Sequence, residues 1–511
     1  MAKEVLFTLA QDLNNNSTGL EQKLTGLYNK NILQPQDAAF LNSYIGKLHT
    51  QNTDTSFSFS WEYDNLPGTW MSENITTPSK ILSKPLSIEQ IDEELATGKY
   101  DHVVMASYLS GFSDFRKAAR HIRQNYPNIT TIGASVGALV QESQIFVDHT
   151  IKGNQVDALR QIIGETTNDP LKPIFAKARS QTLFNGIKKE TDYAILLSSY
   201  GCMYGCDFCP STAQFGTEYK APFTPQQIKD EIIKAHDTIA PNSPYFMVSL
   251  GEPQGLGNVA QWKEVFRLCQ DLPFQCDLVT TTSSKVISKY TIDELTHGAL
   301  RVTTVNIGVE SLLNGYKKND GTDLQKLNAH LQEHGINVVS TFIVGLDWHT
   351  QDNVRKEIQL LKGLESSGYI VANLEMQPGT PLYKQYKAEG KLIDVPPELL
   401  AFYGYQAFKH PHFASGFTDM LPLLEDINSE LSDGTTIFNA NATIFLKRKN
   451  SFDAPIQKDI IRQINEYKKS LHAMHPLEAI DVRVDKFAAE LYYHLAFHQM
   501  DLFHPFLLST N

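Results

Sequence analysis

Cys202, Cys206 and Cys209 lie in the stretch Ser198-Ser199-Tyr200-Gly201-Cys202-Met203-Tyr204-Gly205-Cys206-Asp207-Phe208-Cys209-Pro210 and are three of the chain's five cysteines. Their spacing is C-x3-C-x2-C, with Phe208 just before the third. A short loop of this spacing can turn three thiolates towards one point. Three is one fewer than a closed tetrahedral site holds. An iron–sulfur cube held by three cysteines keeps one iron open to another ligand. Zinc is the competing reading, but it usually takes paired C-x2-C ligands plus two more. The remaining cysteines, Cys269 and Cys276, sit in no pair motif. Both read as core, Cys269 on a helix face with Trp262 and Phe266 and Cys276 at the start of a strand.

The loop follows an apolar strand candidate near Tyr193, and further candidates start near Tyr245, Cys276, Val302, Ile336 and Tyr369. Helical segments lie between them. In the clearest, Thr224 caps, Pro225 takes the first helical position, and Ile228, Ile232 and Ile239 face inward. Such alternation predicts a partial (β/α)6 TIM-type barrel, open on one side, with its functional face at the strand C-termini. Ahead of it, His102–Ser107, Ile129–Ile132 and Ile145–Ile151 alternate with helical patterns and predict a small Rossmann-like parallel sheet. Ser113 is the expected cap of the helix with Phe115, Ala119 and Ile122 inward. Ligands of such sheets bind beyond the strand C-termini, here Ser107–Gly111, Gly133–Gly137 and Gly153. The fold class is α/β.

The flanks say less. Residues 1–98 read as a cap region with helical spacing over Leu20–Tyr28 and Asp37–Leu48 and a loop over Gln51–Ser60. Residues 167–191 read as a polar linker. Residues 391–511 form an α+β region with an edge strand over Asn439–Lys447 and a helix over Phe487–Met500. His494 and His498 stand four apart there, but no Glu follows His494 as H-E-x-x-H requires. They read as packed or solvated, as do His410, His412 and His504. A net charge of −12 argues against bulk binding to nucleic acid or anionic membrane. No stretch approaches the roughly 18 apolar residues of a membrane span, and the cysteine pattern is not a disulfide framework. The expected location is the cytoplasm.

The cysteine motif, in a loop after the first barrel strand, resembles the radical SAM superfamily. In that family three thiolates hold a [4Fe–4S] cluster whose open iron binds S-adenosylmethionine (SAM), and reductive cleavage releases a 5′-deoxyadenosyl radical. Segments at later strand ends are similar to its other motifs. Ser249-Leu250-Gly251-Glu252-Pro253 resembles the Gly-Gly-Glu motif that holds the SAM ammonium, with Leu250 in place of the first glycine. Asn306-Ile307-Gly308-Val309-Glu310-Ser311 resembles the G-x-E-S stretch near ribose and carboxylate. Phe342-Ile343-Val344-Gly345-Leu346-Asp347 resembles the segment beside the adenine. The resemblance thus implies SAM contacts at Phe208, Gly251, Glu252, Pro253, Thr281, Glu310, Ser311 and Gly345, with metal ligands Cys202, Cys206 and Cys209. No residue is assigned to the substrate chemistry.

Met376-Gln377-Pro378-Gly379-Thr380-Pro381-Leu382-Tyr383 looks like the end of the radical SAM domain in members with an N-terminal cobalamin-binding domain. Residues 99–166 take the place of that domain, before a radical SAM barrel over 192–390. The implied cobalamin contacts are Ser107, Gly133, Gly137 and Gly153. Asn154 stands where the family usually has Glu, Tyr200 where it often has Arg, and no D-x-H-x-x-G motif offers a histidine to cobalt. The resemblance implies a cobalamin-dependent methyltransferase acting on an unactivated carbon of a small molecule or peptide. It also implies an external electron donor such as flavodoxin or ferredoxin. A cobalamin-independent rearrangement or oxidation with a vestigial first sheet is the first alternative, and a non-catalytic zinc-stabilised scaffold the second.

Overall fold

A computed structural model describes residues 4–10, 24, 33, 35–51, 57–85, 87–152, 155–166, 169–184, 187–243, 245–313, 317–319 and 321–431. Gly153, Asn154, the strand expected over 439–447, the helix expected over 487–500, and His494, His498 and His504 lie outside these residues. The strands, in chain order, are β1 (Glu4–Ala10), β2 (Phe57–Tyr63), β3 (Ser79–Pro85), β4 (Tyr100–Ser107), β5 (Thr130–Ala134), β6 (His149–Thr150), β7 (Ile174–Phe184), β8 (Ile187–Leu197), β9 (Tyr200–Gly201), β10 (Tyr219–Lys220), β11 (Tyr245–Leu250), β12 (Gln275–Thr282), β13 (Leu300–Glu310), β14 (Asn337–Val344) and β15 (Gly368–Asn373). They form an α/β protein with two main sheets.

The first sheet is parallel, in the order β3-β1-β4-β5-β6. It therefore starts at residue 4 rather than 99. Val5, Leu6 and Phe7 are fully buried, as a strand covered on both faces requires. An apolar run this short has no readable period. The strand expected over Ile145–Ile151 is instead a helix over Ser143–Phe146 followed by the two-residue β6. Ile145 is 67% exposed, while Val147 and Ile151 are buried and Phe146 packs against the core. The helix Phe112–Asn125 has Gly111 at its N-cap, not Ser113, although Phe115, Ala119 and Ile122 are buried as expected.

The second sheet runs β15-β14-β13-β12-β11-β8-β7-β2. Its six parallel strands, β8 and β11 to β15, stand where the sequence places a (β/α)6 barrel. The segment read as a linker is no linker. It folds as β7 and the start of β8, an antiparallel hairpin, and β2 adds to β7 where a loop was expected. Polar side chains hid both, because an antiparallel ladder tolerates one wet face. In β12 the burial alternates strictly: Cys276 and Leu278 are buried in the core with Trp262 and Val265, and Asp277, Val279 and Thr281 are half-buried. The helix Pro225–Ile239 begins with a capping box between Thr224 and Gln227, which satisfies donors its first turn would leave orphaned.

One apolar core joins both sheets, including Phe7 and Val104 of the first and Leu196 and Val248 of the second. Trp70, on the helix Leu66–Ser72, belongs to it and touches Tyr200 and Phe223 at ring distances of 6.1 and 6.2 Å. After the barrel, helix Met420–Leu431 buries Met420, Leu424 and Ile427 with Val371 of β15 and Val354, Ile358 and Leu361. No helix among the described residues is long and apolar enough to cross a membrane.

Candidate functional site

The cysteine loop is a closed structure. β9 and β10 pair antiparallel, Gly201 against Tyr219 and Tyr200 against Lys220, so residues 202–218 form one loop at the end of β8. Cys202 N–H donates to the Glu218 carbonyl at 3.1 Å, and Cys209 N–H to the Cys206 carbonyl at 3.2 Å. Cys209 then caps a short helix, Pro210–Phe215. Tyr204 and Ser283 share a 2.7 Å hydrogen bond that ties the loop to the end of β12. Gly201 has φ +79, and a Cβ there would lie 1.9 Å from the Glu218 carbonyl oxygen; only glycine allows this closure.

All three thiols are half-buried. Burial pushes Cys206 up to about 11, against the pull of the Lys318 ammonium, and the neighbouring Cys209 and Cys202 add to the rise. Burial also raises Cys202, where Cys209 adds to the effect and Lys318 opposes it. Cys202 and Cys206 thus each lie within electrostatic reach of Cys209 and of Lys318. Among the described residues no three His, Cys, Asp or Glu side chains converge as ligands of a single ion. A [4Fe–4S] cube asks for something else, one thiolate on each of three irons. The donor set fits it, and coordination would deprotonate the raised thiols.

Glu252 lies two residues past the end of β11 and is 3% exposed. Its Oε1 accepts from the Ser198 and Ser199 hydroxyls, the latter at 3.3 Å, while Oε2 is buried without a partner. Burial pushes the carboxyl up to about 7, with the serine hydrogen bonds pulling the other way. A buried carboxylate oxygen with nothing to accept is a place prepared for a donor. Gly251, Glu252 and Pro253 line a cleft of about 180 Å3 together with Tyr200, Ser135 and Gln155.

Glu310 ends β13 with φ +63, a left-handed conformation rare outside glycine. It pairs with the Lys318 ammonium, and the Thr341 hydroxyl donates to its other oxygen at 3.5 Å. Thr281 accepts from Asn306 Nδ2 at 3.4 Å. Ser311 and Gly345 stand at the ends of β13 and β14, where Ser311 donates to Glu357 and Gly345 N–H to His349. Phe208 is half-buried and packs on the apolar core that includes Leu346 and Leu382. The structure therefore brings Cys202, Cys206 and Glu310 around Lys318, with Glu252 beside the base of the loop. Lys318, Ser198 and Ser199 were not assigned from sequence. Lys318 sits in a polar Lys-Lys-Asn turn that reads as solvated surface, and only the fold returns it to the cysteines.

The residues expected at a cobalamin site behave differently. Ser107 is fully buried and donates to the Tyr108 carbonyl. A Cβ on Gly133 would lie 3.3 Å from both Phe115 and Val147, and one on Gly137 2.6 Å from the Ser107 side chain. These positions are tightly packed within the first unit, with no room for a side chain at Gly137. What the sheet presents to the cleft is Ser135 and Gln155, with φ of +66 and +64. Gln155 Oε1 is buried without a partner, and its Nε2 lies 3.5 Å from Gln214 Oε1 in the cysteine-loop helix.

Residues 196–361 match the sequence profile of the Radical SAM superfamily. The chain contains a radical SAM domain. The match runs from the last residues of β8 into the helix after β14 and so takes in the cysteine loop, Glu252, Glu310 and Gly345. The family's cofactors are a [4Fe–4S] cluster and SAM. A curated relative, the hopanoid C-2 methylase of Rhodopseudomonas palustris (strain TIE-1), is 23% identical over 337 residues, 60% of this chain. The chain spans 62% of that relative's length. Among solved structures, the radical SAM methyltransferase TsrM from Kitasatospora setae, with cobalamin and [4Fe-4S] cluster bound, overlaps 76% of this chain and 78% of its own at 14% identity and a TM-score of 0.48. The cobalamin-dependent SAM radical enzyme OxsB overlaps 97% of this chain and 76% of its own at 11% identity and a TM-score of 0.49.

Proposed function

We propose that this radical SAM enzyme methylates an unactivated carbon of its substrate with cobalamin as second cofactor. In this reading Cys202, Cys206 and Cys209 hold the cluster and Glu252 Oε2 receives the SAM ammonium. Thr281, Glu310, Ser311 and Gly345 flank the rest of SAM, and residues 192–390 act as the catalytic unit. When bound, the reduced cluster supplies a deoxyadenosyl radical from SAM and cobalamin carries the methyl group. An external one-electron donor such as flavodoxin or ferredoxin provides the electron. The observation that carries cobalamin is positional: the first sheet turns the carboxyl ends of its strands towards the cysteine-loop helix. A Cβ on Gly379 would lie 3.4 Å from Ala213 of that helix and 3.6 Å from Leu139 of the first unit. Ligands of parallel sheets bind at such ends. The methylase named among the relatives supports the same reaction class.

One observation favours cobalamin-independent radical chemistry instead. The cleft of about 180 Å3 is below the roughly 300 Å3 at which small-molecule pockets begin, and Ser107, Gly133 and Gly137 are closed against one another. Cobalamin would enter only if the two units part at the Gln155–Gln214 and Lys387–Gln141 contacts. Anaerobic reconstitution with iron and sulfide, with and without cobalamin, decides between them. Retention of cobalamin through gel filtration, with both S-adenosylhomocysteine and 5′-deoxyadenosine formed, is the expected result. Deoxyadenosine alone from protein that holds no cobalamin selects the second reading.

A further inference from the structure

His349 is fully buried and lies outside the cysteine loop and the strand-end motifs. Its Nδ1 accepts two backbone N–H groups, from Gly345 at 3.1 Å and Leu346 at 3.3 Å. Nδ1 used in this way carries no proton, so Nε2 does, and it donates to Glu357 Oε1 at 3.2 Å. Glu357, also fully buried, lies on the helix Gln351–Lys362. Its other oxygen accepts from the Ser311 hydroxyl at 2.9 Å, from Leu312 N–H at 2.7 Å and from Leu313 N–H at 3.4 Å. Burial works to raise this carboxyl, and the bonds from His349, Leu312 and Ser311 outweigh it, leaving Glu357 below its ordinary range.

The two ends of this relay are the strand ends expected around SAM. Gly345 and Leu346 follow β14, and Ser311 to Leu313 follow β13. The ladder between these strands shifts register between Gly308 and Glu310, just before Ser311. The last pair of the ladder is Glu310 with Phe342, and beyond it no backbone pairing fixes one loop against the other. The side-chain relay runs where the backbone pairing stops.

We propose that His349 and Glu357 are positioning residues that lock the β13 and β14 loops into the one arrangement competent to hold SAM. This rests on the reading that those loops flank SAM. The expectation separates two halves of the relay. His349→Asn keeps an acceptor near Nδ1 and loses the reach to Glu357, whereas His349→Gln keeps a donor near Nε2 and leaves the Gly345 and Leu346 amides unpaired.

The test measures two quantities on the full-length protein. The first is hydrogen exchange of peptides spanning 311–313 and 345–346, without any cofactor. The second is SAM affinity of the reconstituted protein, with iron and sulfide content and the electron paramagnetic resonance signal of the reduced cluster as controls. His349→Ala is expected to accelerate exchange in both peptides and to weaken SAM binding roughly ten- to a hundredfold, the factor that one or two unsatisfied buried amides correspond to, at unchanged cluster content. His349→Asn is expected to protect 345–346 better than His349→Ala does, and His349→Gln to protect 311–313 better. Should His349→Ala fail to fold, the Asn and Gln variants carry the comparison by themselves. Unchanged exchange in both loops overturns the relay. Faster exchange with unaltered SAM affinity overturns its link to SAM, and wild-type protein that holds a cluster yet binds no SAM instead refutes the underlying site reading.

Discussion

Ser198 donates a hydrogen bond to Glu252, joining the end of β8 to the end of β11 in the buried floor beside the cysteine loop. The bond occupies one carboxylate oxygen and leaves Oε2 with none. Two serines ahead of the cysteine motif thus aim an acid on the next strand. The same pair fixes the loop's base, because Ser198 and Ser199 lead directly into Tyr200 and Gly201 of β9. The buried acid and the base of the cysteine loop share one small polar cluster.

Glu252 should make the protein's stability depend on pH in a defined direction. Its folded carboxyl is pushed up to about 7, above the roughly 4.3 of a free Glu. An acid raised by folding favours the folded state when protonated, so the contribution is best below about 4.3 and is lost as pH rises through about 7. Ionised, with Oε2 unpartnered, it costs on the order of 3 kcal/mol. Glu252→Gln is therefore expected to raise the melting temperature of cofactor-free protein at pH 8 and to leave it nearly unchanged at pH 4. In reconstituted protein the same change should weaken SAM binding at pH 8. Equal melting shifts at both pH values would contradict the assigned ionisation.

The cysteines should divide into two classes. Replacing Cys202, Cys206 or Cys209 by Ala is expected to abolish retention of iron and sulfide and to reduce SAM cleavage to background. Cys269 and Cys276 are fully buried in the core, and burial raises both thiols. Cys269→Ala should keep the cluster and cost about 1 kcal/mol through lost packing. Iron analysis and thermal melts of the variants check both statements.

What the sequence made legible depended on pattern length and hydrogen-bond direction. The six parallel strands of the second sheet were readable because each carries a short apolar stretch followed by a helix with its own cap, as at Thr224. β2 and β7 were not, since Ser, Lys, Arg and Gln alternate through them and an antiparallel ladder needs no second buried face. β1 was missed for the opposite reason, an apolar run too short to show a period. Among site residues, the cysteines and Glu252 stand in dense local motifs. Lys318, His349 and Glu357 have no local signature, and their roles come from contacts made across 8 to 46 positions of chain. The glycines at the first sheet's strand ends stand close to Phe115, Val147 and Ser107, neighbours that only the fold brings to them.

The Lys318–Glu310 pair should behave as a buried ion pair. Its side chains are 13% and 10% exposed, so removing one partner strands a charge and is expected to cost about 3–5 kcal/mol. Lys318→Met and Glu310→Gln should each destabilise by that order. The double variant should recover most of the loss, because no lone charge remains. Urea titration of the four proteins gives the coupling energy directly. A coupling near zero would mean that solvent screens the pair.

Gly201 offers the sharpest separation of loop geometry from loop chemistry. Gly201→Ala changes no ligand, no charge and no hydrogen-bonding side chain. Its Cβ nevertheless needs the space held by the Glu218 carbonyl, at 1.9 Å, on a backbone with φ +79. The β9–β10 pairing must open to admit it, and with it the bond from Cys202 N–H to Glu218. The expected result is a folded protein with near-native melting behaviour and an oxygen-sensitive cluster of reduced occupancy, since the loop spans only residues 202–218 of the chain. Glu218→Ala is the control: it keeps the carbonyl and should keep the cluster. If Gly201→Ala retains full iron and sulfide content, the two-strand closure is dispensable, and the cysteines alone organise the loop around the metal.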